Sequence, residues 1–228
     1  ADGKMRMFNL DGSEGKMCGN GIRCVAKFMR DNGLVDKDDM EIETLSGIIK
    51  VKLTRHYGEV NGATVNMGPA ILDPVQIPVT LAADENGRVV DRPVTIDGKD
   101  YNITCVSMGN PHAVVFMNGN IDELDIDTVG KAFEYNEIFP ERVNAEFIKV
   151  LDEHTLKMRV WERGSGETWA CGTGACAAAV AAVLNGYCTK DKEITVKLKG
   201  GDLKIKVTDE AIYLTGDAVT VFNGSIII

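Results

Sequence analysis

Two stretches of the chain alternate apolar and polar residues and are each interrupted by glycine, which predicts two β-hairpins. The first is MEIETLSGIIKVKLT, centred on Ser46-Gly47, and the second is KEITVKLKGGDLKIKVT, centred on Gly200-Gly201. A short strand-like run follows each one, ATVNMG after the first and AIYLTG after the second. We therefore predict a hairpin followed by a third strand, twice in the chain.

A helix is predicted before each hairpin. In the first helix, apolar residues recur at i, i+3, i+4 and i+7, and basic residues occupy the other face. The apolar stripe consists of Ile22, Val25, Ala26 and Met29, and the basic face of Arg23, Lys27 and Arg30. The second helix, 175–184, is apolar all round and too short to span a bilayer, so we expect strands to surround it. Asn-Gly follows both helices, as is typical of a left-handed cap.

The two halves form an internal repeat, because residues 8–33 align without a gap on residues 161–186. The aligned pairs are Phe8 with Trp161, Glu14 with Glu167, Cys18 with Cys171, Gly19 with Gly172, Gly21 with Gly174, and Asn32-Gly33 with Asn185-Gly186. The repeat predicts an α+β fold of two pseudo-symmetric domains, each a mixed or antiparallel sheet wrapped around a central helix. We expect one domain at 1–70 with 217–228 and the other at 71–216, with hinges near Gly68-Pro69 and Gly216-Asp217.

The segment that precedes the first repeat is much shorter than the segment that precedes the second. A long strand-rich region, 71–160, precedes the second repeat, whereas only 17 residues precede Cys18. A symmetric protein would have more chain before the first repeat, and the first residue is Ala rather than Met. We therefore expect that this chain lacks an N-terminal segment of the intact protein.

Composition and charge narrow the class of function. The 228 residues carry a formal net charge of −9 without a long Lys/Arg cluster, which disfavours a nucleic-acid partner. No apolar run approaches the length of a membrane span and no signal-peptide pattern begins the chain, so we expect a cytoplasmic protein without a membrane partner. The six cysteines are expected to be reduced thiols, and because no pair has C-x-x-C spacing we predict no metal site.

Cys18 and Cys171 each open a C-G-x-G motif at the start of a predicted helix. The N–H groups of a first helical turn have no partner within the helix, and with the helix dipole they favour negative charge. We therefore expect a thiol at this position to have a depressed pKa, and the nearby N–H groups to be able to bind a carboxylate. Packing roles are assigned to the other cysteines, which are Cys24, Cys105, Cys176 and Cys188.

The paired motifs predict a two-base reaction. With the two domains face to face, Cys18 and Cys171 would flank one cleft, and a substrate Cα between them would face one sulfur on each side. One thiolate would remove the α-proton and the opposite thiol would return a proton, which inverts the centre. The two helix N-termini would stabilise the enediolate formed at the adjacent carboxylate. This scheme describes an amino-acid epimerase and requires no cofactor.

The segments that carry these motifs resemble a known family. FNLDGSEGKMCGNGIRCVAKF and ERGSGETWACGTGACA are similar to the two signature segments of the diaminopimelate epimerases, and SMGNPHAVV and RVNAEF also resemble that family. The resemblance covers nearly the whole chain. It implies interconversion of LL- and meso-diaminopimelate without pyridoxal phosphate, a step in lysine and cell-wall precursor biosynthesis. The Gly-rich strand start found at that family's N-terminus is absent from this sequence.

The resemblance also implies roles for individual residues. Cys18 and Cys171 correspond to the acid/base pair, and His112 and Glu162 to polar groups that tune the two thiols. The predicted substrate-binding residues fall into two sets plus Glu162: Asn9, Asn110, Asn144 and Arg163 for the non-reacting end, and Gly19, Asn20, Gly172 and Thr173 for the reacting carboxylate. Paired hydrogen bonds from Arg to a carboxylate, and the donor and acceptor of each Asn amide, suit a substrate end that carries both charges.

Three alternatives stay open. A proline racemase or hydroxyproline epimerase would use the same scaffold and two cysteines, but that family typically has M-C-G-H-G where this chain has Asn20, and its substrate would leave Arg163 little to bind. A thiol-based redox or binding protein is the second alternative, and an inactive fragment is the third. Most soluble oligomers are homo-oligomers, so a homodimer is the assembly we expect if the chain associates.

Overall fold

The computed structural model describes residues 1–8, 12 and 14–225. They fall into two compact units, Ala1–Asn66 with Thr215–Ile228 and Met67–Leu214. The domain bounds expected from the repeat, 1–70 with 217–228 and 71–216, stay predictions.

The first unit joins a sheet of hairpin-connected strands to a helix. Its elements are β1 (Gly3–Lys4), β2 (Met7–Phe8), β3 (Glu14–Gly15), α1 (Gly19–Asp31), β4 (Asp39–Thr44), β5 (Gly47–His56) and β6 (Glu59–Asn66). Strands β4, β5 and β6 are antiparallel neighbours, β1 lies parallel to β4, and β2 pairs with β3 in a separate small ladder. The first predicted hairpin is confirmed, with Leu45-Ser46 as its turn.

Helix α1 has the amphipathic character that the spacing predicts. Ile22 and Ala26 are fully buried, Met29 is nearly so, and the helix packs against β5 and β6. The same face of the unit receives apolar side chains from the strands, among them Val51 and Val65. The core of this unit therefore lies between α1 and the sheet.

The prediction that Arg23 lies on the polar outer face of α1 is wrong, because its side chain is buried. Its guanidinium donates hydrogen bonds to Gly19 O at 3.1 Å, to Asn20 Oδ1 at 3.1 Å and to Asp217 O at 3.3 Å. A buried cation is tolerated when its donors find acceptors, and periodicity alone does not reveal such acceptors. Arg23 thus ties the first turn of α1 to the segment after residue 214.

The second unit is larger and contains the other two α-helices of the described chain, together with a short 3-10 helix at Ile121–Glu123. Its elements are β7 (Arg92–Ile96), β8 (Lys99–Ser107), β9 (Pro111–Phe116), α2 (Ile126–Glu134), β10 (Asn144–Asp152), β11 (Thr155–Glu162), β12 (Gly166–Thr168), α3 (Gly172–Leu184), β13 (Glu193–Leu198), β14 (Gly201–Val207) and β15 (Ile212–Asp217), of which β15 extends into the first unit. The strand order is β14-β13-β11-β10-β9-β8-β7, and β12 pairs with β11. Most neighbours are antiparallel, but β9 lies parallel to β10 and β11 parallel to β13, and a helix connects each parallel pair. This matches the crossover that parallel strands require.

The central strands of the second unit are buried on both faces. On one face, Val106, Val114 and Ile148 pack in the core around α3. On the other face, Ala113 and Phe147 pack in the core beneath α2. Because side chains alternate along a strand, every second residue of β9 and β10 points toward α3. This alternation places polar residues of these strands beside the start of α3.

Helix α3 is buried on every side, as its sequence predicts: residues 174–182 are all buried. Both α1 and α3 end at the predicted Asn-Gly pair. Gly33 and Gly186 have φ of 68° and 75°, the left-handed conformation that favours glycine. No helix among the described residues is long and apolar enough to cross a membrane.

The repeat is visible in the strand register. Phe8 lies opposite Glu14 in the β2–β3 ladder, and Trp161 lies opposite Glu167 in the β11–β12 ladder. Each ladder leads into a helix of 13 residues. The second predicted hairpin, β13–β14, is also present. The predicted α+β class with a helix packed on strands in each unit is confirmed.

The two repeated glutamates, Glu14 and Glu167, each form an ion pair with a basic side chain. Glu14 accepts two hydrogen bonds of 2.9 Å from the Arg6 guanidinium. Glu167 accepts one of 2.8 Å from Arg159 and forms an ion pair with Lys199 at 2.8 Å. In both repeats the equivalent glutamate therefore forms an ion pair four residues before the cysteine.

Candidate active site

Cys18 and Cys171 occupy the same backbone position, the N-cap of a helix. Both have extended backbone, with φ and ψ of −136° and 112° at Cys18 and of −118° and 111° at Cys171. Each sulfur accepts a hydrogen bond from the third helical residue, Gly21 N in one unit and Gly174 N in the other, both at 3.3 Å. The predicted placement of both thiols at helix starts is confirmed. A sulfur in this position faces the positive end of the helix dipole.

The surroundings of the two thiols differ. Cys18 is half-buried, whereas Cys171 is only 5% exposed. Burial raises the pKa of the Cys171 thiol, and the carboxyl groups of Glu162 and Glu146 act in the same direction, against a hydrogen bond from Thr173. The depressed pKa expected at a helix start is therefore wrong for Cys171. The motif indicated the cap but not the depth of burial or the two carboxyl groups.

The space around the second glycine of the C-G-x-G motif differs between the two units. A Cβ on Gly174 would lie 2.8 Å from Glu146 Oε1 and 3.2 Å from the Cys171 sulfur. A Cβ on Gly21 would lie 3.5 Å from the Cys18 sulfur, an ordinary contact. Only Gly174 is therefore required by close packing among the residues described around it.

Gly19-Asn20 and Gly172-Thr173 are the first two residues of α1 and α3. Their backbone N–H groups belong to the first turn, where a helix provides no acceptor of its own. Each of these N-termini, taken by itself, has N–H groups that can bind a carboxylate. Their role as a carboxylate cradle stays a prediction.

In the second unit, several predicted residues form one continuous chain of hydrogen bonds. His112 Nδ1 lies 2.7 Å from Glu146 Oε1, and His112 Nε2 lies 3.0 Å from Asn110 Oδ1. Asn110 Nδ2 donates to Thr173 Oγ1 at 3.3 Å. Thr173 Oγ1 lies 3.5 Å from the sulfur of Cys171. A buried carboxyl group is thus connected to the thiol through three intervening side chains.

Asn144 and Arg163 are also neighbours in this unit. Asn144 Nδ2 donates to Pro111 O at 2.8 Å, and its Oδ1 accepts from the backbone N of Arg163 at 2.8 Å. The Arg163 side chain is exposed and donates to Glu141 O at 2.8 Å. The Asn144 amide therefore fixes the backbone that carries Arg163, and it has a second N–H and a second lone pair for a ligand.

Glu162 ends β11 and accepts a hydrogen bond from the hydroxyl of Thr168. The negative charge of Glu162 raises the pKa of the Cys171 thiol, which is consistent with the predicted tuning role. Asn9, the remaining predicted binding residue, lies outside the described residues.

The other cysteines are distributed as the sequence predicts, with one exception. Cys105, Cys176 and Cys188 are buried and all six cysteines are free thiols. Cys24 is exposed, so the packing role predicted for it is wrong; it lies on the outer side of the amphipathic helix α1. Within the described residues, no group of three or more His, Cys, Asp or Glu side chains is placed to hold a metal ion.

Comparison with known proteins decides the family. The family model described as diaminopimelate epimerase matches residues 1–72 and 104–221. This chain belongs to the diaminopimelate epimerase family. A diaminopimelate epimerase from Desulfovibrio desulfuricans is 54% identical over 98% of this chain and 79% of its own length. Those from Acetivibrio thermocellus and Methanococcus maripaludis are 50% and 51% identical, each over 99% of this chain and over 79% and 80% of their own lengths. The expectation of an isomerase of this family is confirmed.

Solved structures support the fold of this diaminopimelate epimerase family member. A probable proline racemase from Agrobacterium radiobacter has a TM-score of 0.72 at 14% identity and covers 100% of this chain and 72% of its own. A hydroxyproline epimerase from Agrobacterium vitis has a TM-score of 0.67 at 13% identity and covers 94% and 68%. A PhzF-family protein from Bacillus anthracis has a TM-score of 0.66 at 18% identity and covers 95% and 78%. At these identities the likeness shows a common fold alone.

Sequence reasoning missed two buried carboxyl groups of this epimerase family member. Glu146 lies in RVNAEF, which was noted for its family resemblance; the signal in the sequence is a glutamate between two apolar residues, and the structure buries it completely. Glu134, 2% exposed, accepts hydrogen bonds from Trp161 Nε1 at 2.7 Å and from Gly164 N at 2.9 Å. It ends an amphipathic helix, where a glutamate is unremarkable in sequence. Glu134 thus holds the turn that follows β11.

Proposed function

We propose that this chain interconverts LL- and meso-diaminopimelate, with Cys18 and Cys171 as its acid–base pair. The relatives named above carry this activity in their names and match nearly the whole chain. The observation that carries the proposal is the identical N-cap position of the two thiols on the two repeated helices. No observation favours the proline-specific alternative, since its solved members share only the fold.

The proposed reaction removes the proton from one face of the substrate Cα and adds a proton to the opposite face. A thiolate sulfur bonds to the α-proton as the Cα–H bond breaks, and the electron pair delocalises into the adjacent carboxylate as an enediolate. The opposite thiol then gives its proton to the other face of Cα and becomes the thiolate. The substrate centre is inverted and the two sulfurs have exchanged protonation states. First-turn N–H groups at Gly19, Asn20, Gly172 and Thr173 stabilise the enediolate charge.

In the direction from LL- to meso-diaminopimelate, we assign the two sulfurs different roles. Cys171 is buried beside two carboxyl groups, which raise its pKa, so in this direction it donates a proton. Cys18 is the more exposed of the two and accepts the α-proton, and the roles are exchanged in the reverse direction. Glu162 and His112 adjust these states through charge and hydrogen bonding.

The residues near Arg163 suit the second amino-acid end of diaminopimelate. Arg163 supplies an exposed guanidinium for a carboxylate, and Asn144 fixes the backbone beneath it. Asn110 and Asn9 complete the proposed binding set with amide donors and acceptors.

We also propose that the enzyme works in the cytoplasm as a homodimer. Light scattering that gives the mass of a single chain would contradict the dimer.

The test is exchange of the α-hydrogen with solvent. We expect the purified chain in deuterated buffer to place one deuterium at the inverted carbon of LL-diaminopimelate, followed by mass spectrometry and chiral chromatography. L-Proline and trans-4-hydroxy-L-proline should show no exchange. A chain that exchanges proline but not diaminopimelate, or neither, is not the enzyme proposed.

Single cysteine variants test the two roles. Cys18→Ala and Cys171→Ala should each lower the rate by about 10²–10⁴-fold, the usual contribution of general acid–base catalysis. Cys24→Ala, on the exposed side of the same helix as Cys18, is the matched control and should keep the wild-type rate. Turnover that survived Cys18→Ala combined with Cys171→Ala would refute the acid–base assignment.

A further inference from the structure

Glu146 is a buried carboxyl group that the proposed reaction leaves without a direct role. It lies in β10 on the face toward α3, in register with Val114, and is 0% exposed. Its Oε2 atom has no hydrogen-bond partner among the described residues. A buried carboxylate with an unpaired oxygen is costly, and burial raises the pKa of Glu146 although His112 acts against this. Such a group needs an explanation within the fold.

The hydrogen bonds of His112 fix where its protons lie. Asn110 Nδ2 donates to Thr173, so the Asn110 Oδ1 atom faces His112 Nε2 at 3.0 Å and must accept from it. His112 Nε2 therefore carries a hydrogen. The 2.7 Å contact between His112 Nδ1 and Glu146 Oε1 then needs one further proton, carried either by the imidazole or by the carboxyl group. In both cases the pair is neutral as a whole.

The position of this proton sets the donor-to-acceptor direction of every hydrogen bond between His112 and Cys171. His112 donates to Asn110, Asn110 donates to Thr173, and the Thr173 hydroxyl has its own hydrogen left for the sulfur of Cys171 at 3.5 Å. Gly174 N supplies a second donor to the same sulfur at 3.3 Å. Every step therefore presents a donor toward Cys171, which favours a thiolate when the proton leaves.

We propose that Glu146 is a positioning residue that shares one proton with His112. This shared proton keeps the hydrogen bonds from His112 through Asn110 and Thr173 oriented so that the last one is donated to the sulfur of Cys171. The inference rests on the proposed function, since it concerns the thiol assigned there as the acid. Glu162 is the other titratable group that acts on this cluster, and Cys105 lies on the opposite face of the sheet; neither takes part in the hydrogen-bond chain. Without the shared proton, the hydrogen of His112 can lie on Nδ1 instead of Nε2. A bare Nε2 then faces Asn110, and the Asn110 amide can reverse.

The first measurement uses the wild-type chain. The sequence has three histidines, and His56 and His154 are exposed whereas His112 is fully buried, so ¹⁵N labelling distinguishes His112 by the slow exchange of its ring hydrogens with solvent. We expect a hydrogen on His112 Nε2 and a strongly deshielded proton shared at Nδ1. A bare Nε2 in the folded wild-type chain would overturn the proposal without any variant.

The second measurement follows Cys171 directly. Its modification by methyl methanethiosulfonate, read by peptide mass spectrometry, reports thiolate availability without substrate. Glu146→Gln should lose the deshielded proton and slow the modification of Cys171 about tenfold, because one donor to a charged sulfur is no longer fixed. Glu134→Gln, equally buried in the same unit, is the control and should change neither the His112 signals nor the Cys171 rate.

The outcomes separate this inference from the proposed function. In a Thr173→Val background, which cuts the chain beside the sulfur, Glu146→Gln should have no further effect on Cys171. An unchanged or faster Cys171 reaction in Glu146→Gln alone would overturn the positioning role, and a faster one would show that Glu146 acts as a charge. If these thiol results hold while the wild-type chain fails to exchange diaminopimelate, the proposed substrate is wrong and the positioning role stands.

Discussion

A single added methyl group at Gly174, compared with the same change at Gly21, measures how differently the two repeats hold their cysteines. The two glycines occupy equivalent positions, the third residue of α3 and of α1, and neither has a positive φ. Alanine therefore fits both backbones. The N–H group that donates to each cysteine sulfur is also kept, so the variants differ only in the space around the new Cβ.

The expected difference can be worked from the contacts. Replacing glycine by alanine in a helix favours folding by up to ~1 kcal/mol at either site, and this contribution cancels in the comparison. At Gly174 the Cβ would lie 2.8 Å from Glu146 Oε1, whereas at Gly21 its nearest contact is 3.5 Å. Overpacking of this kind costs about 1–3 kcal/mol. For a chain of this length we expect Gly174→Ala to unfold about 2–12 °C below Gly21→Ala.

Thermal unfolding followed by circular dichroism compares the two variants directly. Trp161 and Trp169 are the two tryptophans of the chain and both lie in Met67–Leu214, so their fluorescence reports on the unit that contains Gly174. Gly174→Ala should shift the fluorescence transition downward, and Gly21→Ala should leave it in place or raise it slightly. Equal midpoints for the two variants, or a lower midpoint for Gly21→Ala, would refute the packing argument.

Two further changes test the packing and the charges of the second unit. Gly130→Ala should destabilise the protein despite its helical position, because the new Cβ would lie 2.5–2.7 Å from atoms of the Trp161 side chain, whereas Gly119→Ala, with nothing within 4 Å, should be neutral in the same melt. Glu167 has a lowered pKa because Arg159 donates to it, so it stabilises the fold above the pKa of its unfolded form, ~4.3, and this stabilisation is lost as the pH falls through the lowered folded value. Glu167→Gln should therefore lower the midpoint of denaturation at pH 7 and have a shrinking effect below pH ~4; a gap that persisted in acid would contradict the assignment.

The repeated unit could be predicted because its determinants are local. The caps at Asn32-Gly33 and Asn185-Gly186, the hairpin turns and the placement of Cys18 and Cys171 at helix starts each depend on a few consecutive residues. Local rules of this kind are written in single segments of sequence. The family resemblance then supplied roles that the local pattern could not.

The polar cluster around Cys171 could not be predicted in the same way. His112 and Glu146 are 34 positions apart, and they meet because β9 and β10 pair in parallel through the α2 crossover. The register of such a pair is set by packing over the whole unit, not by either strand alone. For the same reason the buried environment of Arg23, which depends on the carbonyl of Asp217, is not visible in the periodicity of α1.

The unequal surroundings of the two thiols follow from how the repeats differ. The cap that holds each sulfur is common to both, but α1 is amphipathic and leaves Cys18 half-buried, whereas α3 is surrounded by strands and buries Cys171. Burial also brings Glu146 and its hydrogen-bond chain to Cys171, and the first repeat has no equivalent glutamate in the described contacts of Cys18. A two-base epimerisation needs one thiol and one thiolate at the start of each turnover. Two sulfurs in identical environments would share the same preference, so the asymmetry of the repeats provides a physical reason for one sulfur to begin as the acid and the other as the base.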